Sequence, residues 1–476
     1  MDAKLKRETR QGVLWSAVQR FSTQGLQFLI TLVMARKLTP EDYGIIGMLG
    51  IFIAVSSVFI DSGFINALTR KQDRTQTDIC TVFYFNIAIA LLAYTILFFS
   101  APLIASFYEM PVLTPVVRAF AIILIINSFS AVQATLMTIR LDFKTQANIA
   151  VISISISGII GIILAYRGFT YWALVIQTIS SSIISTFLYW YHSSWRPSLL
   201  FSKESFKSMF SFGSKLLVSS LIDSIYNNVY ALVIGKVFSA KTLGNYSRAE
   251  SYANFPSISL TGIMQRVTYP VLCKMQDDEQ QLAHIYRKFL KLSAFVIFPM
   301  MMGLSALAYP FIVIIIGEQW TFSATLLQIL CFSLMWYPIQ AINLNLLQVK
   351  GRTDLSLRVE IIKKIVGVII LCISCPFGII AMCVSRIIFS CICLIINTYY
   401  TGKLLGLGLL LQLKDLLPTL LISLSMFFLI YTISHFTPNI WLQMLFGTIT
   451  GLLYYPAVSY VFNKSEFLSF LSLIKR

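Results

Sequence analysis

Apolar residues in this chain fall in long, nearly continuous blocks separated by short polar turns. The blocks run roughly over 11–35, 44–66, 79–104, 113–139, 146–166, 170–191, 208–235, 243–272, 290–316, 323–349, 355–376, 378–400, 415–435 and 439–462. A bilayer core about 30 Å thick takes about 20 apolar residues per helix, so every block has spanning length. Barrel strands are shorter and alternate in polarity, and hydrocarbon offers the backbone no water to bond, so helices are the structure that remains. The pattern predicts an all-α integral membrane protein of about fourteen transmembrane helices.

Composition carries the same message. Of 476 residues, 57% are apolar and 12% charged, against about 25% charged in soluble domains. A net charge of +17 in a soluble protein would suggest a nucleic-acid partner, but here the position of each charge decides. Of 37 Lys and Arg, 24 lie in turns on the side of the N-terminus, five (Arg36, Lys37, Arg167, Lys236, Lys241) on the other, and eight inside blocks. The positive-inside rule then predicts cytoplasmic N- and C-termini and an even helix count for a multi-pass inner-membrane protein, and charges placed for topology give no reason to expect a nucleic-acid partner. The first block is too long for a signal-peptide core and contains Arg20, Gln24 and Gln27, so it reads as a retained first helix.

Catalytic and cofactor chemistry find little support. Most of the eight cysteines sit in apolar blocks as small buried residues, and Cys372-x-x-Cys375 lacks a redox setting. His192, His284 and His435 are too scattered to ligate a metal, and no phosphate-binding glycine loop or nucleophile triad is present. No enzyme activity, metal or cofactor is expected.

The chain also repeats. At an offset of 200 residues, Arg36, Thr39 and Gly44 align with Lys236, Ser239 and Gly244. At an offset of 210, Gly168 and Arg140 align with Gly378 and Lys350. An even number of helices between copies makes a parallel repeat, the plan of transporters whose lobes rock about a central site. The expected organisation is an N-lobe over 1–192, a linker over 193–207, a C-lobe over 208–403, and two further helices with a tail over 404–476. In the linker, Trp195 and Phe206 are spaced to rest on a membrane surface.

Polar groups at membrane depth cost about 2.5–3.5 kcal/mol each and normally face a bundle interior or water. In the first helix Ser16, Arg20, Thr23 and Gln27 form one stripe at helical spacing. Ser220, Asp223, Asn227 and Tyr230 form another in the seventh. Gln340 and Asn343 share a face, as do Ser130 and Gln133, while Glu360, Lys363, Lys364 and Arg386 place charge in later helices. One reading is a hydrated cavity lined by Arg20, Thr23, Gln27, Asp223, Asn227, Tyr230, Gln340, Asn343, Lys363, Lys364 and Arg386, with Asp61, Asp223 and Glu360 as coupling carboxylates. The competing reading pairs each group within its own lobe, Glu360 with Lys364 for example, or Arg20 with Asp61.

Motifs then point to a family. The opening Arg7–Ser16 (R-x-x-x-x-G-V-L-W-S), the run A-R-K-L-T-P-E-D-Y-G over Ala35–Gly44, and D-S-G-F at Asp61–Phe64 resemble the polysaccharide transporters, the Wzx-type O-antigen and exopolysaccharide flippases. That family lies in the superfamily of multidrug, oligosaccharidyl-lipid and polysaccharide exporters. The resemblance implies a MATE-like pair of six-helix lobes plus two helices. It also implies transfer of an undecaprenyl-diphosphate-linked oligosaccharide, destined for lipopolysaccharide or exopolysaccharide, from the cytoplasmic to the periplasmic leaflet. Membrane lipids and a polysaccharide polymerase complex are the partners it implies.

Related transporters move lipid-linked peptidoglycan precursor or cationic drugs. Excess base over acid inside the blocks fits a drug cation poorly. A membrane polymerase or ligase is the alternative of another class, and it would need a large outer loop that this chain lacks.

Overall fold

The computed structural model describes residues 22–61 and 63–474, together with Trp15 and Gln19. All regular structure among them is helical. The first helices are α1 (Ser22–Ala35), α2 (Pro40–Asp61), α3 (Phe64–Arg70), α4 (Gln76–Tyr108), α5 (Leu113–Phe120), α6 (Ile122–Ile139), α7 (Phe143–Tyr166), α8 (Thr170–His192) and α9 (Lys203–Val237). Then follow α10 (Ala240–Cys273), α11 (Glu279–Ala306), α12 (Ala308–Ile316), α13 (Thr321–Leu334), α14 (Tyr337–Val349), α15 (Thr353–Ser374), α16 (Ile379–Leu405), α17 (Leu409–Phe436), α18 (Ile440–Phe462) and α19 (Lys464–Ile474). Eleven helical segments among the described residues are long and apolar enough to cross a membrane. The expected number is higher because α1 is described over only part of its block, and α10 and α15 carry more polar residues.

Local chemistry explains the helix ends. Thr75 caps α4 by accepting from the Asp78 amide while the Asp78 carboxylate accepts from the Thr75 amide, a reciprocal box that satisfies two orphan donors. Thr39 and Asp42 do the same at the start of α2, where the Thr39 amide donates to Asp42 Oδ2 at 2.8 Å. Pro40 at the first helical position has no amide proton to orphan. Asn439 caps α18 through its side-chain oxygen.

The chain forms two compact units, Met1–Gly244 and Asn245–Arg476. The division falls inside α10 and groups α9 with the first unit, whereas the lobes expected from the repeat meet at the linker. In the first unit, Phe64, Leu68, Val82, Phe83, Val132 and Trp195 make an apolar core. Trp195 is therefore turned inward: its ring stands edge-on to Phe83 at 5.5 Å and its Nε1 donates to Gln76 Oε1 at 2.8 Å. Phe206 packs on Phe64 and Phe85. Both rings thus pack within the first unit, Trp195 buried and Phe206 half-buried. In the second unit, Tyr286, Phe298 and Trp320 are fully buried, and Arg287 grips Asp415 with two bonds of 2.6 and 2.7 Å between α11 and α17.

Candidate functional site

The repeat-related turns meet inside the first unit. A Cβ added to Gly44 would overlap the Ala240 backbone, and one added to Gly244 would overlap the Pro40 carbonyl. The starts of α2 and α10 therefore cross backbone against backbone, reciprocally, at the two glycines that align at an offset of 200. Thr39 caps one helix and Ser239 the other, with Ser239 Oγ accepting from the Thr242 amide at 3.1 Å. The motif over Leu38–Gly44 thus supplies a cap, a proline and a close crossing within seven residues. A second crossing lies where the α2–α3 junction passes α9, since a Cβ on Gly63 would overlap Gly213. Gly63 also has φ +79, a conformation that disfavours any side chain.

The polar stripe of α9 has a different character. Asp223 and Asn227 are exposed and Tyr230 half-buried, one turn apart on a helix whose most apolar stretch, within Leu216–Val237, has only 6% of its residues buried. In α1, Thr23 is half-buried with its hydroxyl on the Gln19 carbonyl at 2.7 Å, and Gln27 is exposed. Arg20 lies outside the described residues, as does the side chain of Asp61, whose backbone ends α2.

In the second unit the expected residues sit among partners of that unit. Arg386 in α16 bonds Glu250 and the Tyr246 hydroxyl of α10. Gln340 donates to the Ser390 hydroxyl and carbonyl at 3.0 and 3.1 Å. Asn343 has no exposed surface, accepting from Tyr286 at 2.8 Å and exchanging bonds of 3.1 Å with Gln412. Thr401 completes this cluster, which ties α11, α14, α16 and α17 together. Lys363 pairs with Glu360 at 3.1 Å across three residues, a register one shorter than the Glu360–Lys364 pair expected. Lys364 is half-buried on the same helix.

Sequence reasoning missed two groups. One is Glu250, whose partner Arg386 lies 136 residues away, beyond the reach of any helical spacing. Asn86 is wholly buried in α4, and neither atom of its amide is hydrogen-bonded among the described residues. A lone amide in the apolar run Phe83–Leu97 was its signal. The described residues hold no group of three or more metal-ligating side chains.

The profile of a family described as "Polysaccharide biosynthesis protein" matches residues 33–325, more than half of the chain. The chain belongs to this family. The match runs through most of the first unit and into the second as far as residue 325. The teichuronic acid biosynthesis protein TuaB of Bacillus subtilis is 26% identical over 74% of this chain and 73% of its own length. The lipopolysaccharide biosynthesis protein WzxC of Escherichia coli is 24% identical over 75% and 73% respectively. Among solved structures, the lipid II flippase MurJ in an inward closed conformation superposes with a TM-score of 0.74 at 17% identity, over 95% of this chain and 99% of that one. An inward-facing multidrug transporter of the MATE family gives 0.59 at 16% identity, over 79% and 95%. The polysaccharide transporter therefore has the MATE-like fold that its motifs imply.

Proposed function

We propose that this polysaccharide transporter is a flippase for undecaprenyl-diphosphate-linked oligosaccharide, carrying the saccharide headgroup from the cytoplasmic to the periplasmic leaflet while the polyprenyl tail stays in lipid. A diphosphate bearing sugars cannot cross hydrocarbon unaided, because stripping water from its charges costs on the order of tens of kcal/mol. The observation that carries the reading is the exposed Asp223–Asn227 stripe of α9. A carboxylate and an amide are not tolerated against lipid, so this face borders water at membrane depth. Arg20, Thr23, Gln27 and Tyr230 extend the same lining in this reading, and Arg20 supplies positive charge that suits a diphosphate. The termini are cytoplasmic and the Gly44–Gly244 crossing closes the periplasmic end. Alternating access then means separating the α2 and α10 starts while the cytoplasmic ends close.

Single cysteines test the hydrated face. Asp223→Cys and Asn227→Cys should react with a membrane-impermeant thiol reagent in inside-out vesicles, and Asn343→Cys should not. Protection of both α9 positions would remove the passage from α9. Orientation is read in the same way: in intact spheroplasts, cysteines at Glu318 and Thr437 should label and one at Lys403 should not.

A further inference from the structure

The basic stripe at the start of α11 is not absorbed by this reading. His284, Arg287, Lys288 and Lys291 recur at helical spacing and line a cleft of about 340 Å³ closed by Ser465, Glu466 and Ser469 of α19. Two of its cations are already engaged: Arg287 with Asp415, and Lys291 with Asp415 at 3.5 Å and Glu466 at 3.2 Å. Lys288 and His284 are exposed and make no ion pair among the described residues. Asp415 and Glu466 are the carboxylates that contact the cleft's cations, so three cations and one histidine face two acids.

Beside the cleft, the same helices form an apolar groove of about 610 Å³, lined by residues such as Phe295, Met300, Leu304, Met426, Leu452 and Phe470. α19 borders both spaces. Ser465, Glu466 and Ser469 face the cleft, and Phe467, Phe470 and Leu471 face the groove. It is an amphipathic helix of the kind that lies at a membrane surface. Within the groove, Phe295 packs on Tyr455 at 5.2 Å and Phe470 at 5.6 Å. Both volumes are in the range of small-ligand sites.

From this juxtaposition we infer that the second unit holds a site for one anionic glycerophospholipid, with its phosphodiester against Lys288 and His284 and an acyl chain along the groove. Basic pockets between membrane helices on the cytoplasmic side favour such headgroups. The lipid bridges α11 to α17, α18 and α19. The inference goes beyond the proposed transport: its ligand is a bulk lipid rather than the saccharide carrier, and its test does not require flipping.

Native mass spectrometry of the full chain, delipidated and supplied with defined lipids, reads it directly. Phosphatidylglycerol should be retained as one tightly held molecule, and phosphatidylcholine with the same chains should not. His284→Gln with Lys288→Gln should weaken retention about fivefold or more, the effect of roughly one basic side chain beside an anionic headgroup. Lys403→Gln, a basic residue of the second unit outside the cleft, should leave retention unchanged. Met300→Trp, which fills the groove without touching the cleft, should also release the lipid. Each of these outcomes would overturn the site: equal retention by the double variant, equal binding of phosphatidylcholine, binding of glycerol 1-phosphate as strong as of the whole lipid, or exclusive binding of a polyprenyl phosphate.

Discussion

Two parts of this chain treat polar residues at membrane depth in opposite ways. In the second unit, 61% of the apolar stretch within α11 and 67% of that spanning α13 and α14 are buried, and the polar groups Arg386, Gln340 and Asn343 are held by Glu250, Ser390 and the Tyr286–Gln412 cluster. In α9 of the first unit, 6% is buried, and Asp223 and Asn227 stand exposed. A polar side chain in a membrane protein either completes a packed network or borders water, and the two fates call for different experiments. Network residues should fail through the amount of folded protein. Water-facing residues should fail through transport at normal protein level.

The sharpest test is the Arg386–Glu250 pair. Removing one partner strands a charge in a low-dielectric setting, at about 3 kcal/mol for a partly buried pair. Arg386→Ala and Glu250→Ala should each strongly reduce folded protein in the membrane, while Arg386→Gln with Glu250→Gln should recover most of it. If the single and double variants are equally abundant, the pair does not hold α10 to α16.

Next is the buried amide cluster. Gln412→Leu leaves Asn343 and Tyr286 with unmet bonds and should cost about 2 kcal/mol, read as a lower unfolding temperature of the purified protein. An unfolding temperature within error of the parent would show that the cluster contributes nothing to packing.

The glycine crossing follows. Gly44→Val puts branched carbons into the Ala240 backbone and should cost about 1–3 kcal/mol unless the helices part. If α2 and α10 separate instead, the variant should keep its abundance but react with thiol reagents at a cysteine placed at Ser239. A variant with neither effect would contradict the close crossing.

The smallest effect on stability is expected in α9. Asn227→Ala removes an exposed amide and should change stability by about 0.5 kcal/mol or less. Its polymer output should nonetheless fall several-fold at equal expression. Reduced abundance with unchanged output per molecule would place Asn227 with the network residues and erase the contrast.

Much of this was legible before the structure. Among the described residues most apolar blocks coincide with helices to within a few residues, because twenty apolar residues have one solution in a bilayer. By contrast, α11 begins at Glu279, eleven residues before its block, with a polar first stretch. The pairing of Gly44 with Gly244 by offset turned out to be a physical contact. What periodicity could not supply was partners. A stripe tells which residues share a face, not what lies opposite. Asp223 and Arg386 therefore looked equivalent in sequence, and only tertiary packing half-buries Arg386 beside Glu250 and leaves Asp223 exposed. The packing of Trp195 was out of reach for a related reason: the ring's partner Phe83 lies more than a hundred positions away. The grouping of α9 with the first unit was likewise invisible, since the repeat assigns it by position alone.

The central claim is that the chain moves a finished lipid-linked unit and makes no chemical change to it. Lipid-linked saccharides extracted from a deletion strain report this most directly, together with their reaction with an impermeant glycosidase in intact spheroplasts. Loss of a flippase leaves full-length single units that resist the glycosidase until the membrane is opened, and the wild-type gene restores access. Truncated units, or full-length units already cleaved from outside without the protein, would contradict the account.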